Sequence, residues 1–157
     1  MKTLILYASK YGAAKEIAQR IAQKMDDAVI YDLKQGNIPP IADFDCIILG
    51  SSIYAGSMRK EAKAFVAKNA EALGKKTLGL FLTGLSENSS YFEKNFSQSF
   101  LAKAKATKFL EGIFDPQKVN AIERFIMKAV AKQNVYVNRI SEDAIDQFVS
   151  SIKGHSL

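Results

Sequence analysis

The first turn of this chain has the residue types of a phosphate site. It comprises Ser9-Lys10-Tyr11-Gly12-Ala13-Ala14 and joins the apolar run Thr3–Ala8 to a helical pattern. A strand that leads directly into a helix points backbone N–H groups and the positive end of the helix dipole at one pocket, and such a pocket attracts an anion. Ser9 adds a hydroxyl group, and Gly12 allows close backbone approach. The alternative is a glycine-containing strand–helix turn without a ligand.

Several other chemistries are excluded by the residues that the chain lacks. The first turn has neither the Gly-Lys-Ser/Thr ending of an ATP-binding loop nor the G-x-G-x-x-G pattern of a dinucleotide site, so a ligand with one phosphate, such as FMN, fits it better. A single cysteine, Cys46, rules out an internal disulfide or a multi-cysteine metal site, and a single histidine, His155, argues against histidine-based metal or triad chemistry. We therefore predict no metal site, with Cys46 as a buried strand residue.

Length and composition predict one globular domain. The chain has 157 residues, 48% of them apolar, and contains no apolar run near the ~18 residues of a membrane span. The start is too short in apolar residues for a signal peptide, so we expect a soluble, cytoplasmic domain over residues 1–157. The net charge of +6 favours anionic partners or simply a solvated lysine-rich surface. The basic residues are scattered without a nucleic-acid-binding motif, so we expect no nucleic-acid partner.

The hydrophobic pattern alternates between strand and helix. Short apolar runs are typical of strands buried on both faces, and repeats such as Ile17, Ile21 and Met25 are typical of helices. The predicted strands are Thr3–Ala8, Val29–Tyr31, Cys46–Gly50, Thr77–Leu82 and Lys108–Phe114; the predicted helices are Ala13–Met25, Arg59–Leu73, Tyr91–Ala104 and one capped by Ser141 that runs to Ile152.

This alternation predicts an α/β three-layer sandwich around a five-stranded parallel sheet, in the order 2-1-3-4-5. In such a sheet a ligand binds where the strand order reverses, between the turns that follow strands 1 and 3. Those turns are Ser9–Ala14 and Gly50–Gly56. Residues 115–140 do not fit the plain scheme, and we predict a helical insertion there, before the last helix.

These turns resemble those of the flavodoxin family. The resemblance rests on Tyr7-Ala8-Ser9-Lys10-Tyr11-Gly12 and on Ile48-Leu49-Gly50-Ser51-Ser52-Ile53-Tyr54-Ala55-Gly56, and it extends to the order of elements along the whole chain. The nearest branch is the group that includes menaquinone-dependent protoporphyrinogen dehydrogenase, which also has a segment before its last helix. Its Arg-Phe-(apolar)-(apolar)-Lys run resembles Arg124–Lys128.

The resemblance implies an FMN site. Ser9, Lys10, Tyr11, Gly12, Ala13 and Ala14 would hold the phosphate. Two further segments would flank the isoalloxazine ring: Ser52, Ile53, Tyr54, Ala55 and Gly56, and Thr83, Gly84 and Leu85. Tyr54 lies where flavodoxins often stack an aromatic ring on the flavin. Tyr91 is a candidate for the opposite face, although a core position at the start of its helix is the favoured interpretation.

The phosphate turn departs from the family pattern in one respect. Flavodoxins have hydroxyl residues where Tyr11 and Ala14 stand, and only Ser9 keeps one. A neutral hydrogen bond contributes about 0.5–1.5 kcal/mol net, so the loss of two would weaken FMN binding by about ten- to a hundredfold. The backbone N–H groups and the helix dipole are unaffected by this change.

Two redox functions follow from the resemblance. In one, the chain is an FMN oxidoreductase similar to the dehydrogenase branch and passes electrons between an organic substrate, such as a tetrapyrrole, and a quinone. In the other, it is an electron-carrier flavodoxin with protein partners, although carriers usually present an acidic surface and this chain is basic. The insertion carries a basic stripe, Arg124, Lys128 and Lys132, which could contact an acidic substrate or the inner face of a membrane, or be only a solvated helix face.

Overall fold

The computed structural model describes residues 1–85, 87–88, 90–114 and 137–154. Within them, strands and helices alternate as the hydrophobic pattern predicts. The strands are β1 (Lys2–Ala8), β2 (Asp27–Asp32), β3 (Cys46–Tyr54), β4 (Ser57–Met58), β5 (Thr77–Gly84), β6 (Ala106–Glu111), β7 (Ile113–Phe114) and β8 (Val137–Asn138), and the helices are α1 (Ala13–Gln23), α2 (Lys60–Gly74), α3 (Ser90–Asn95), α4 (Gln98–Lys103) and α5 (Glu142–Lys153). No helix among these residues is long and apolar enough to cross a lipid bilayer.

The main sheet confirms the predicted strand order. Its parallel strands follow the order β2-β1-β3-β5-β6, which is 2-1-3-4-5 when the short β4, antiparallel to β3, is set aside. The order reverses between β1 and β3, whose register pairs Leu6 with Leu49 and Ala8 with Ser51. The turns that follow these two strands therefore emerge side by side at the carboxyl edge of the sheet.

Helices cover both faces of the sheet and form two separate cores. On one face, residues such as Leu6, Leu49 and Leu80 pack under the helices α2–α4. On the other, residues such as Ile48 and Phe81 pack against α1 and α5. The near-continuous apolar strands are explained by this arrangement, because alternate side chains of each strand enter different cores.

Cys46 is fully buried, as predicted, at the amino end of β3. Burial raises the pKa of its thiol above the usual range, so the thiol stays protonated at neutral pH. The residue lies at the opposite end of its strand from the cofactor turns.

Three predicted elements differ in detail from the observed ones. The predicted helix Tyr91–Ala104 is two helices, because the hydroxyl of Ser97 accepts the N–H of Phe100 at 3.2 Å and starts α4. The predicted strand Lys108–Phe114 is interrupted at Gly112, after which the chain leaves the parallel sheet. The turn predicted at Gly50–Gly56 is partly strand, because β3 continues to Tyr54 and pairs with β4 in a hairpin. The predicted cap of the last helix is confirmed, since Ser141 accepts the N–H of Ala144.

The predicted insertion begins and ends at a short ladder. Here β7 and β8 pair antiparallel, with Ile113 opposite Asn138 and Phe114 opposite Val137. The ladder directly follows β6, so it lies at the carboxyl edge of the sheet. Residues 115–136, including Arg124, Lys128 and Lys132, fall outside the described residues, as does His155.

Candidate functional site

The first cofactor turn is stabilised by a hydrogen bond within itself. The hydroxyl oxygen of Ser9 accepts the N–H of Gly12 at 2.9 Å. Gly12 is the N-cap of α1 and has a φ of 101°, a left-handed conformation that strains a residue with a Cβ atom. The Ser9 hydroxyl acts as an acceptor in this bond, so its own proton can still be donated to a ligand.

The N-terminus of α1 offers backbone donors at this turn. Gly12 provides no side-chain cap, and the first N–H groups of a helix have no partner within it. The side chains of Ala13 and Ala14 are buried against the sheet. Ala14 therefore contributes only its N–H to the turn, and a hydroxyl at that position would need to replace a core methyl group. The residues from Ser9 to Gly12 are half-exposed.

A serine in β3 joins the first turn to the second. The N–H of Lys10 donates to the Ser52 hydroxyl at 3.1 Å. The neighbouring Ser51 is buried, and its hydroxyl accepts the N–H of Arg59, which precedes α2. The structure thus brings together the two turns that the strand order predicts to be adjacent.

The second turn is a tight hairpin. Tyr54 pairs with Ser57, and the two residues between them have positive φ values, 52° for Ala55 and 80° for Gly56. This combination is that of a type I′ turn, which suits two twisted antiparallel strands. Ala55 is an unusual residue at such a φ.

Asn95, at the end of α3, holds the hairpin in place. Its Nδ2 donates to the carbonyl of Gly56 at 3.1 Å and to that of Tyr91 at 2.8 Å, and its Oδ1 accepts the N–H of Met58 at 2.9 Å. Sequence analysis did not identify this residue, because its partners are 37 and 39 positions away. The position of Tyr54 depends on this contact, since Tyr54 belongs to the same hairpin.

The ring of Tyr54 carries a cation on one face. The Nζ atom of Lys10 lies 3.5 Å from the ring centroid of Tyr54 and 5.2 Å from that of Tyr11. This is a cation–π contact. The ammonium group of Lys10 is therefore directed at the second turn, where the Tyr54 side chain is half-exposed.

The third predicted segment, Thr83 to Leu85, ends β5 beside these turns. The Thr83 side chain is fully buried, and its hydroxyl has no hydrogen-bond partner among the described residues. A Cβ atom on Gly112 would lie 2.6 Å from that hydroxyl and 3.1 Å from the Cβ of Ala13. Position 112 therefore has room only for glycine. Gly84 and Leu85 are half-exposed, so they are the accessible part of the segment.

Arg139 is a second residue that sequence analysis did not identify. Its guanidinium donates to the carbonyl of Leu85 at 3.0 Å, and its N–H donates to Gly112. These contacts tie the end of the β7–β8 ladder to the third segment. No local pattern indicates them, because Leu85 is 54 residues away in sequence.

Tyr91 has the core environment that we favoured for it. Its side chain is half-buried, and its ring centroid lies 6.0 Å from that of Phe109. Its Cε1 atom is also 4.0 Å from the position of a Cβ on Gly56, so the ring packs beside the hairpin. The predicted residues described here therefore converge on one edge of the sheet.

The chain is similar to a known family in sequence and to known proteins in structure. The family profile described as a flavodoxin domain matches residues 4–139. No curated protein sequence matches the chain. Among solved structures, two-electron reduced flavodoxin from Megasphaera elsdenii has a TM-score of 0.64 at 15% identity, over 97% of this chain and 98% of that one.

Two further structures share the fold. Oxidised flavodoxin 1 from Bacillus cereus has a TM-score of 0.61 at 15% identity, with 100% of each chain covered. A flavoprotein from Lactobacillus acidophilus, solved in complex with FMN, has a TM-score of 0.52 at 18% identity, over 70% of this chain and 90% of that one. At these identities the similarity establishes a common fold.

Proposed function

This chain belongs to the flavodoxin domain family, and on that premise we propose that it binds FMN and uses it to transfer electrons. The observation that carries the proposal is the convergence of three predicted segments at the carboxyl edge of the sheet, where the strand order reverses. The flavoprotein from Lactobacillus acidophilus, which has the same fold, was solved with FMN bound, and this supports the choice of cofactor.

The first turn fits a single phosphate group. Gly12, without a Cβ atom, precedes the N-terminal N–H groups of α1, and the Ser9 hydroxyl is held at the same turn by its bond to Gly12. Backbone N–H groups at a helix N-terminus attract an anion without any charged side chain. Ser9 to Ala14 would thus hold the phosphate, and Tyr11 and Ala14 would contribute their N–H groups in place of the hydroxyls that the family pattern has there.

The hairpin and the third segment fit a flat ring. The half-exposed side chain of Tyr54 would contact the ring, together with the backbone of Ser52, Ile53, Ala55 and Gly56. Gly84 and Leu85 border the opposite side, with Tyr91 packed behind the hairpin. When FMN is bound, its isoalloxazine ring accepts and returns electrons, while the protein orients the ring and determines its electrostatic surroundings. The ammonium group of Lys10 would favour negative charge on the ring.

For the finer function, we propose an FMN oxidoreductase of the kind found in the protoporphyrinogen dehydrogenase branch, with a quinone or another acceptor. The sequence run Arg124–Lys128 and the β7–β8 ladder beside the site support this choice. The second candidate is an electron carrier with protein partners. It is favoured by the full-length match to flavodoxins, in which 97% of this chain and 98% of the Megasphaera elsdenii protein superimpose.

Titration of the apoprotein with FMN and riboflavin, followed by flavin fluorescence, tests the proposed site. We expect FMN to bind more tightly than riboflavin, because only FMN carries the phosphate. Ser9→Ala should reduce this preference, whereas Ser57→Ala, at the outer end of the hairpin, should preserve it. Equal affinities for FMN and riboflavin in the unmodified protein would contradict the phosphate site.

Turnover distinguishes the two finer functions. An oxidoreductase of the proposed branch should oxidise protoporphyrinogen in the presence of a menaquinone analogue, with FMN required for activity. A carrier should show no such turnover and should exchange electrons with redox proteins alone. Protein without FMN provides the control for non-enzymatic oxidation.

A further inference from the structure

Two lysines border the hairpin that carries Tyr54. Lys10 places its ammonium group 3.5 Å from the centroid of the Tyr54 ring. Lys63, in the first turns of α2, donates from Nζ to the Ser57 hydroxyl at 2.7 Å. These contacts come from two different elements, and both put positive charge directly on the hairpin.

Two more cations border the other side of the site. The Nζ atom of Lys94 on α3 lies 6.0 Å from the ring centroid of Tyr91. Arg139, after β8, donates to the Leu85 carbonyl at 3.0 Å. The side chains of Lys63, Lys94 and Arg139 are exposed, and Lys10 is partly exposed. We call the set Lys10, Lys63, Lys94 and Arg139 the cationic rim.

Acidic side chains also belong to the elements near the rim. Glu87 and Glu93 line a cavity together with Lys108 and residues of α3, α4 and β6. Glu61 and Glu111 are half-buried. Glu111 pairs with Gly84 through its strand backbone, whereas the charged side chains described above in contact with the hairpin, Tyr91 and Leu85 are cations.

The ion pairs between described residues leave three of the four rim cations uninvolved. Lys63, Lys94 and Arg139 take no part in ion pairs between described residues. Those pairs lie on the α1–α5 face and at the far end of α2: Arg20 with Glu16 and Glu142, Lys24 with Glu142 and Asp146, and Lys75 with Glu71. Exposed charges of one sign around a site steer partners of the opposite sign.

We propose that the redox partner of this chain is an acidic protein that docks over the cationic rim. The proposal rests on the proposed FMN function, in the form in which the chain exchanges electrons with a protein. The rim spans four elements around the site, so a broad acidic surface can contact all of it. With FMN bound, the chain would hold the flavin ring within reach of the docked partner, and two reduced partner molecules, each oxidised by one electron, would supply the two electrons of a full flavin reduction, with protons from water.

The test uses FMN-loaded protein and a plant-type [2Fe–2S] ferredoxin as the acidic probe. Stopped-flow absorbance follows flavin reduction by reduced ferredoxin from about 20 to about 500 mM ionic strength. Over this range the Debye screening length shortens severalfold. Cytochrome c, a basic protein, is the opposite probe and oxidises the reduced flavin. The test variant, which we call the rim variant, carries Lys63→Glu and Lys94→Glu together. The control is Lys75→Glu with Lys76→Glu, which changes the net charge equally at the amino edge of the sheet.

We expect the rate constant with ferredoxin to fall by about tenfold or more as salt is added, and the rate constant with cytochrome c to rise. The rim variant should lose most of this dependence and the control variant should keep it. A ferredoxin rate that does not fall with salt, or equal effects of the two variants, would overturn the proposal.

Two other results would also overturn it, and they are distinguishable. Protein that retains no FMN after loading would refute the proposed function together with the partner. The other result has two parts: the protein sediments with phosphatidylglycerol vesicles and the rim variant does not, and the ferredoxin rate is independent of salt. In that case the partner of the rim would be an anionic membrane and not an acidic protein.

Discussion

Replacement of Asn95 by alanine should weaken FMN binding although Asn95 lies outside the predicted cofactor segments. Its side chain makes two hydrogen bonds to the hairpin, one to the Gly56 carbonyl at 3.1 Å and one from the Met58 N–H at 2.9 Å. Each such bond contributes about 0.5–1.5 kcal/mol net, so the hairpin would lose about 1–3 kcal/mol of stabilisation. Tyr54 and Ala55 belong to that hairpin.

The effect on affinity follows from this loss. If FMN has to order the hairpin on binding, the lost stabilisation appears in the binding free energy, and the Kd for FMN rises by about 5- to 150-fold. Fluorescence titration with FMN measures this change, and urea unfolding of the apoprotein measures the accompanying loss of global stability.

Asn69→Ala is a matched control. Asn69 donates to the Phe65 carbonyl at 2.9 Å, four residues earlier in α2, just as Asn95 donates to Tyr91 at 2.8 Å in α3. The control therefore loses the bond within the helix but no bond to the hairpin, and its Kd for FMN should not change. The reasoning would be refuted if folded Asn95→Ala bound FMN as tightly as Asn69→Ala.

Three further changes test the fold and its electrostatics. Gly50→Ala should destabilise the protein by about 1–3 kcal/mol in urea unfolding, because its Cβ would lie 1.9 Å from the buried Phe81 ring, and an unchanged midpoint would contradict this packing. Thr83→Val should leave the unfolding free energy of the apoprotein unchanged or raise it, since the buried hydroxyl has no partner among the described residues; a clear loss would indicate a buried partner such as water. Hydrogen bonds from Lys24 and then Arg20 lower the pKa of Glu142. The resulting stabilisation is present above the unfolded pKa of the carboxyl group and is lost as the pH falls through its lowered folded pKa. In thermal unfolding, Glu142→Gln should therefore be less stable than the original protein at neutral pH, and the difference should disappear in acid below the folded pKa; a difference that persists there would refute this assignment.

Most of the fold could be predicted from local patterns. Strands buried on both faces have continuous apolar runs, so the run Cys46–Gly50 indicates such a strand in an α/β protein. The Ser141 cap is also local, since its hydroxyl reaches the N–H of Ala144 three residues later. The break at Ser97 was missed although Ser97 is a good N-cap, because the apolar spacing of Phe96 and Phe100 continues through it.

The candidate site could be predicted in part. The turn Ser9–Ala14 is contiguous, and its glycine and its position between strand and helix indicate an anion site without knowledge of the rest of the chain. The role of Ser52 could not be predicted in the same way. Its hydroxyl accepts the N–H of Lys10, 42 residues away, and only the parallel pairing of β1 and β3 brings them together.

The sequence by itself determined the strand–helix alternation and the location of the first turn, because hydrophobic periodicity and helix-start chemistry act over a few neighbouring residues. The order of the parallel sheet was predicted from the topology that alternating strands and helices usually adopt. Tertiary structure alone decided that residues 53–58 close into a hairpin, that Asn95 holds it, that Lys10 lies on Tyr54 and that Arg139 meets Leu85. The contacts of Asn95, Lys10 and Arg139 join segments far apart in the chain, and their geometry depends on how the helices pack on the sheet, which no local pattern encodes.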